Sequence, residues 1–86
     1  MNIVVNENNC IRIGTMNSIS FQNKDTAQKF VESIKKSRVF PNARFSKDGW
    51  IATIEDRSGN ILLYKTGMST KDAAINIATE TINYIS

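Results

Sequence analysis

Ala43-Arg44-Phe45-Ser46-Lys47-Asp48-Gly49-Trp50-Ile51-Ala52-Thr53-Ile54-Glu55 is the stretch whose reading decides the fold. Apolar and polar residues alternate on both sides of Asp48-Gly49. A two-residue type I′ hairpin turn needs positive φ at both central positions, which Asp-Gly tolerates. The stretch therefore predicts an antiparallel hairpin with Lys47 opposite Trp50, Phe45 opposite Ala52 and Arg44 opposite Thr53. Arg57-Ser58-Gly59 makes a second turn, and Asn60 to Thr66 returns as a third strand that Gly67 breaks. Ser69-Thr70-Lys71-Asp72 reads as a capping box with Ser69 at the cap. Behind it Ala74, Ile77, Ala78, Thr81, Ile82 and Ile85 form one apolar stripe of a final helix.

Working outward towards the N-terminus, Pro41 ends any helix before it and holds Phe40 extended. Ala27, Phe30, Val31 and Ile34 follow the i, i+3, i+4, i+7 spacing of a helix capped by Asn23 and running from about Lys24 to Ser37. Ile3-Val4-Val5 and Ile11-Arg12-Ile13 flank the turn-rich Asn6-Glu7-Asn8-Asn9 and read as two short strands, with Ser18-Ile19-Ser20-Phe21 a third strand or the end of a bent second one. The expected fold class is α+β: a single small domain over 1–86, strand-strand-helix followed by a three-stranded antiparallel meander and a C-terminal helix. The helix starts Asn23-Lys24-Asp25-Thr26-Ala27 and Thr70-Lys71-Asp72-Ala73-Ala74 resemble each other, which raises the idea of a duplicated unit.

Composition limits the chemistry. At 86 residues folding buries about 60% of the extended chain's surface, enough for one modest core and little room for a deep pocket. There is no His and a single Cys, Cys10, so the commonest general base, the commonest metal ligand, a Ser-His or Cys-His pair and an internal disulfide are all excluded. Asp48, Glu55 and Asp56 lie near two turns without the spacing of a cation loop, and the glycines are isolated. A non-enzymatic protein with no metal and no cofactor is expected. The N-terminus has no basic region followed by an apolar stretch, and no run approaches the roughly 20 apolar residues of a membrane span, so a cytoplasmic location is expected.

The net charge of +3 is unevenly placed. Residues 1–34 are neutral and residues 48–86 carry −2, whereas residues 35–47 hold Lys35, Lys36, Arg38, Arg44 and Lys47 with no acid, a net +5. Phe40 and Phe45 lie between those charges. Lysines in the last turn of a helix also complement its negative end, which is the plainer reason for Lys35 and Lys36. Basic residues interleaved with aromatics are nonetheless what phosphate contact and base stacking require.

The segment from Gly49-Trp50-Ile51-Ala52-Thr53-Ile54-Glu55-Asp56 to Gly67-Met68-Ser69-Thr70-Lys71-Asp72-Ala73-Ala74 is similar to the DNA-binding domain of plant ethylene-response factors and to the arm-binding domains of phage integrases. Those families share a Trp-x-Ala-x-x-x-Asp strand, a Gly turn, a further strand and a Ser/Thr-x-x-Glu/Asp-Ala helix start. The resemblance implies a three-stranded sheet that reads DNA with its open face while the helix covers the other, with Arg44 and Lys65 as contacts. Where those families carry Arg and Trp, this chain has Thr53, Glu55, Ile61 and Leu63.

Alternation from the turns places Phe45, Trp50, Ala52, Ile54, Leu62 and Tyr64 against the final helix. It leaves Arg44, Ser46, Ile51, Thr53, Glu55, Ile61, Leu63 and Lys65 on the opposite face. An aliphatic centre at Ile51, Ile61 and Leu63 calls for a cover, either the first helix through Phe30, Val31 and Ile34 or a second copy in a homodimer. Two functional classes follow. One is a module that binds nucleic acid or a nucleoprotein through Lys35, Lys36, Arg38, Phe40, Arg44, Lys47 and Lys65. The other is a protein-binding regulator or inhibitor of phage or mobile-element type, anti-CRISPR-like or antitoxin-like, acting by steric occlusion through a sheet edge or aliphatic patch.

Overall fold

Gly49 lies just after the hairpin turn, not inside it. In the structure, a computed structural model that describes residues 3–5 by backbone alone and residues 7–36 and 38–85 in full, Ser46 pairs with Gly49, so Lys47 and Asp48 are the turn. Neither has positive φ, whereas Gly49 has φ 122 and a Cβ there would meet the Met68 carbonyl oxygen at 2.8 Å. The register is therefore two residues away from that predicted: Phe45 opposes Trp50, Ala43 opposes Ala52 and Arg44 opposes Ile51. A shift by two preserves the faces, because side chains alternate with period two.

Six strands form one antiparallel sheet: β1 (Ile3–Val5), β2 (Cys10–Ile13), β3 (Met16–Ser20), β4 (Phe40–Ser46), β5 (Gly49–Glu55) and β6 (Ile61–Met68), with helices α1 (Lys24–Lys36) after β3 and α2 (Lys71–Ile85) after β6. The first half thus has three strands before its helix: of the two readings open for Ser18 to Phe21, a third strand holds, running over Met16–Ser20, and the strand-strand-helix order becomes strand-strand-strand-helix. Gly14, at φ 60, turns the chain with Thr15 between β2 and β3. Pro41 lies within β4, tolerated because β4 is an outer strand whose far side needs no ladder donor.

The strand order is β1-β2-β3-β6-β5-β4, and β3 and β6 join antiparallel through Asn17 opposite Tyr64 and Ser18 opposite Leu63. Each half is a β-β-β-α unit, and the order reads the same from either edge when one unit is exchanged for the other. The helices repeat at one spacing along the chain. Asn23 Oδ1 accepts from the Thr26 N–H at 2.9 Å, and Thr70 Oγ1 accepts from the Ala73 N–H at 3.1 Å. Ala27, Val31 and Ile34 are buried, as are Ala74, Ala78 and Thr81 at the matching positions. The second cap is Thr70 in place of Ser69, because helical geometry starts one residue later than the box pattern indicated.

Both helices pack on one face. Ile11, Ile13, Met16, Ala52, Ile54 and Leu63 from the strands form one cluster with Ala27, Val31 and Ile34 of α1 and Ala74, Ala78 and Ile85 of α2. α1 therefore does not cover the opposite face, as the sequence reading allowed. Leu63 is fully buried opposite Ile54, correcting its assignment to the open face. The cause is a bulge: the register shifts between Ile54 and Glu55, and both Leu62 and Leu63 turn to the helix side. Tyr64 then falls on the open face opposite Thr53, and Lys65 opposite the core residue Ala52 falls on the helix side. A second bulge at Thr66-Gly67, with Gly67 at φ 85, lies opposite Ile51. No helix among the described residues is long and apolar enough to cross a membrane.

Candidate nucleic-acid interface

The residues of the basic stretch do not form one patch. Lys35 and Lys36 are exposed in the last turn of α1, and Arg38 is exposed just beyond it. Phe40 opens β4 at 46% exposure. Lys47 sits in the turn at the far end of β4, about 20 Å away at about 3.4 Å per residue, and Lys65 is on the helix side. Lys35, Lys36, Arg38 and Phe40 share one end of the molecule, and Lys47 and Lys65 do not join them.

Arg44 reaches back towards that end. Its Nε and Nη2 donate to Glu55 Oε2 and Oε1 at 3.0 and 2.9 Å, and Nη2 also donates to the Gly59 carbonyl at 3.2 Å. Thr53 Oγ1 and Asn42 Nδ2 donate to Glu55 Oε2 at 2.6 and 3.2 Å. Four donors on one carboxylate explain how Glu55 can be 6% exposed yet charged. The Arg44 hydrogen bonds are the main cause holding the Glu55 carboxyl below its usual range, with those of Thr53 and Asn42 adding to the effect against desolvation. In turn the carboxylate raises the guanidinium pKa. Arg44 is thus committed within the fold and is a weaker contact than its place in the basic stretch suggests.

Arg57 takes the place that Arg44 vacates. Arg38, Asp56, Arg57 and Ser58 line an open hollow of about 280 Å³. Asp56 is turned into its own loop: Oδ1 accepts from the Ser58 and Asn60 N–H groups, both at 2.9 Å, and Oδ2 from Asn60 Nδ2 at 3.1 Å. Those bonds, led by the Asn60 backbone, depress its pKa. Two arginines are left lining the hollow, and one of them, Arg38, is two residues along the chain from Lys36. Sequence reasoning passed over Arg57 because it lies in the segment of net negative charge, where Asp48, Glu55 and Asp56 outvote it. Its position in the turn after β5, at the strand end that pairs with Phe40, was the signal.

The outer edge of β4 is partly closed. Pro41 has no N–H, and the Ala43 N–H donates to the Asn42 side-chain oxygen at 2.8 Å, so two donors that an added strand would use are missing. Phe45, 72% exposed, packs edge-on against Trp50 with ring centroids 5.1 Å apart. Trp50 is itself half-buried against the core. Cys10 is half-buried, its thiol donating to the Ser18 carbonyl at 2.7 Å. Among the described residues no group of three or more Cys, Asp or Glu is placed to hold a metal ion.

Compared with known proteins, the chain matches no family model, no curated protein and no solved structure.

Proposed function

We propose that this chain is a small non-enzymatic binding module that engages nucleic acid through the basic end of its sheet. The observation that carries this reading is the pair Arg38 and Arg57 lining one open hollow, just after Lys35 and Lys36 in the chain, with Asp56, the only acid lining it among the described residues, turned into its own loop. Lysine and arginine side chains so placed neutralise phosphates and release counterions, and Phe40 beside them offers an aromatic surface to a base. The competing reading, a protein-binding regulator or inhibitor acting by steric occlusion through a sheet edge or aliphatic patch, is less well supported at the β4 edge, where Pro41 and Asn42 remove donors that an added strand would use.

An electrophoretic shift titration tests the reading. With four phosphate contacts, affinity should fall roughly 100-fold between low and physiological salt. Replacing Lys35, Lys36, Arg38 and Arg57 by Glu should abolish the shift while the circular dichroism spectrum stays native, since all four are exposed. Binding that survives the quadruple variant sinks the proposal.

A further inference from the structure

A continuous row of side chains crosses the open face. Arg12, Asn17, Tyr64, Thr53 and Asn42 are successive cross-strand partners on β2, β3, β6, β5 and β4; all five side chains carry hydrogen-bonding groups, and Thr53 is fully buried beneath its neighbours. At about 4.8 Å between strands the row is about 19 Å long. Tyr64 sits near its middle and is half-buried, while Arg12 and Asn42 are exposed towards its ends. Arg12 Nε donates to Asn17 Oδ1 at 3.1 Å, which holds the guanidinium over the face. Two residues before Asn42 on the same strand and face stands Phe40, 46% exposed.

The width of this face selects its ligand. A three-stranded sheet is about 10 Å across and fits the roughly 12 Å major groove of duplex DNA, whereas six strands span about 24 Å and cannot enter it. The pairing of β3 with β6 removes the free inner edge that a three-stranded reader would wedge into a groove. A broad face with a half-buried central ring and an exposed aromatic at one margin suits bases that are already unstacked. The only acid on the face among the described residues, Glu55, is neutralised by Arg44, which leaves Arg12 as its unopposed charge.

We infer, on the footing of the nucleic-acid reading above, that the ligand is a single strand laid across the open face. Its bases lie against Tyr64 and Phe40, and its phosphates are drawn to Arg12 and to the Arg38 and Arg57 end.

Fluorescence anisotropy with labelled oligo(dT), oligo(U) and a duplex of equal length tests this. The single strands should bind roughly tenfold more tightly than the duplex. Tyr64→Ala should weaken single-strand binding roughly tenfold, and Tyr64→Phe should retain it because the ring still stacks. Arg12→Ala, at an exposed position, should weaken it several-fold without affecting the fold. A preference for oligo(U) over oligo(dT) assigns the strand as RNA through its 2′-hydroxyls, and the reverse assigns DNA. Duplex bound as tightly as single strand, or Tyr64→Ala binding normally with a native spectrum, overturns the inference and leaves the basic-end reading standing. Absence of binding to all three probes at low salt overturns that reading itself.

Discussion

The two β-β-β-α units share a plan and differ in what they contribute. The strands of the first unit have three, four and five residues, against seven, seven and eight in the second. Charge is divided the other way. α1 carries Lys24, Asp25, Lys29, Glu32, Lys35 and Lys36, whereas α2 has only Lys71, Asp72 and Glu80. The second unit, with long strands and the Glu55 network, supplies most of the cohesion and the broad surface. The first supplies exposed charge from its helix and completes the width of the sheet. The two units thus carry their polar chemistry in different layers, one in its sheet and the other in its helix, while their helices bury matching positions.

The largest effect that bears on this difference is at the core. Leu63→Ala, in the eight-residue β6, should cost about 4 kcal/mol, against about 2 kcal/mol for Ile13→Ala in the four-residue β2. Urea unfolding monitored by circular dichroism gives both values, and equal losses would mean that the units are energetically equivalent after all.

An intermediate effect belongs to the second unit alone. Glu55→Gln removes the charge from a carboxylate with four donors and should cost about 2 kcal/mol at neutral pH. Because the folded-state pKa of Glu55 lies below its ordinary value of 4.5, its contribution is complete above that value and is lost as pH falls through the depressed one. Asp56 shifts in the same direction. Wild-type stability should therefore decline on acidification below about pH 4.5, and the Gln variant should decline less steeply. An identical acid profile for the two proteins would remove Glu55 from the account.

The smallest effect sharpens the likeness. Asn23→Ala and Thr70→Ala each delete one cap acceptor and should each cost about 1 kcal/mol. Thermal unfolding of the two variants should give closely matched losses. A cap that can be removed at no cost in one helix only would place that unit's helix start under tertiary control.

Much of this architecture was legible because it depends on local rules. Asn23, the Ala27 to Ile34 stripe and the α2 stripe set both helices, and the similar helix starts pointed to the repeat. Three features escaped for physical reasons. Asp-Gly marked a turn, but the glycine was needed for its approach to the Met68 carbonyl, so the register moved by two. A β-bulge has no composition of its own, so alternation counted from Gly59 ran past Leu62 and exchanged the faces of Leu63 and Tyr64. That exchange matters most for function, because the open face then has a tyrosine where the sequence reading had a leucine. In the candidate site, Arg38 and Phe40 were visible from charge and aromatic spacing. Arg57 was masked by neighbouring acids, and the commitment of Arg44 to Glu55 depends on a cross-strand contact that the sequence does not display.

The head-to-head junction of β3 with β6 has a bearing on polarity. Two similar units related by a half-turn present a surface without an inherent direction, whereas a nucleic-acid strand runs from 5′ to 3′. A strand lying along the Arg12 to Asn42 row could enter from either margin, were the units identical. Their divergence is what distinguishes the two orientations: one margin ends in an arginine beside a short strand, the other in an asparagine beside Phe40 and the paired arginines of the hollow.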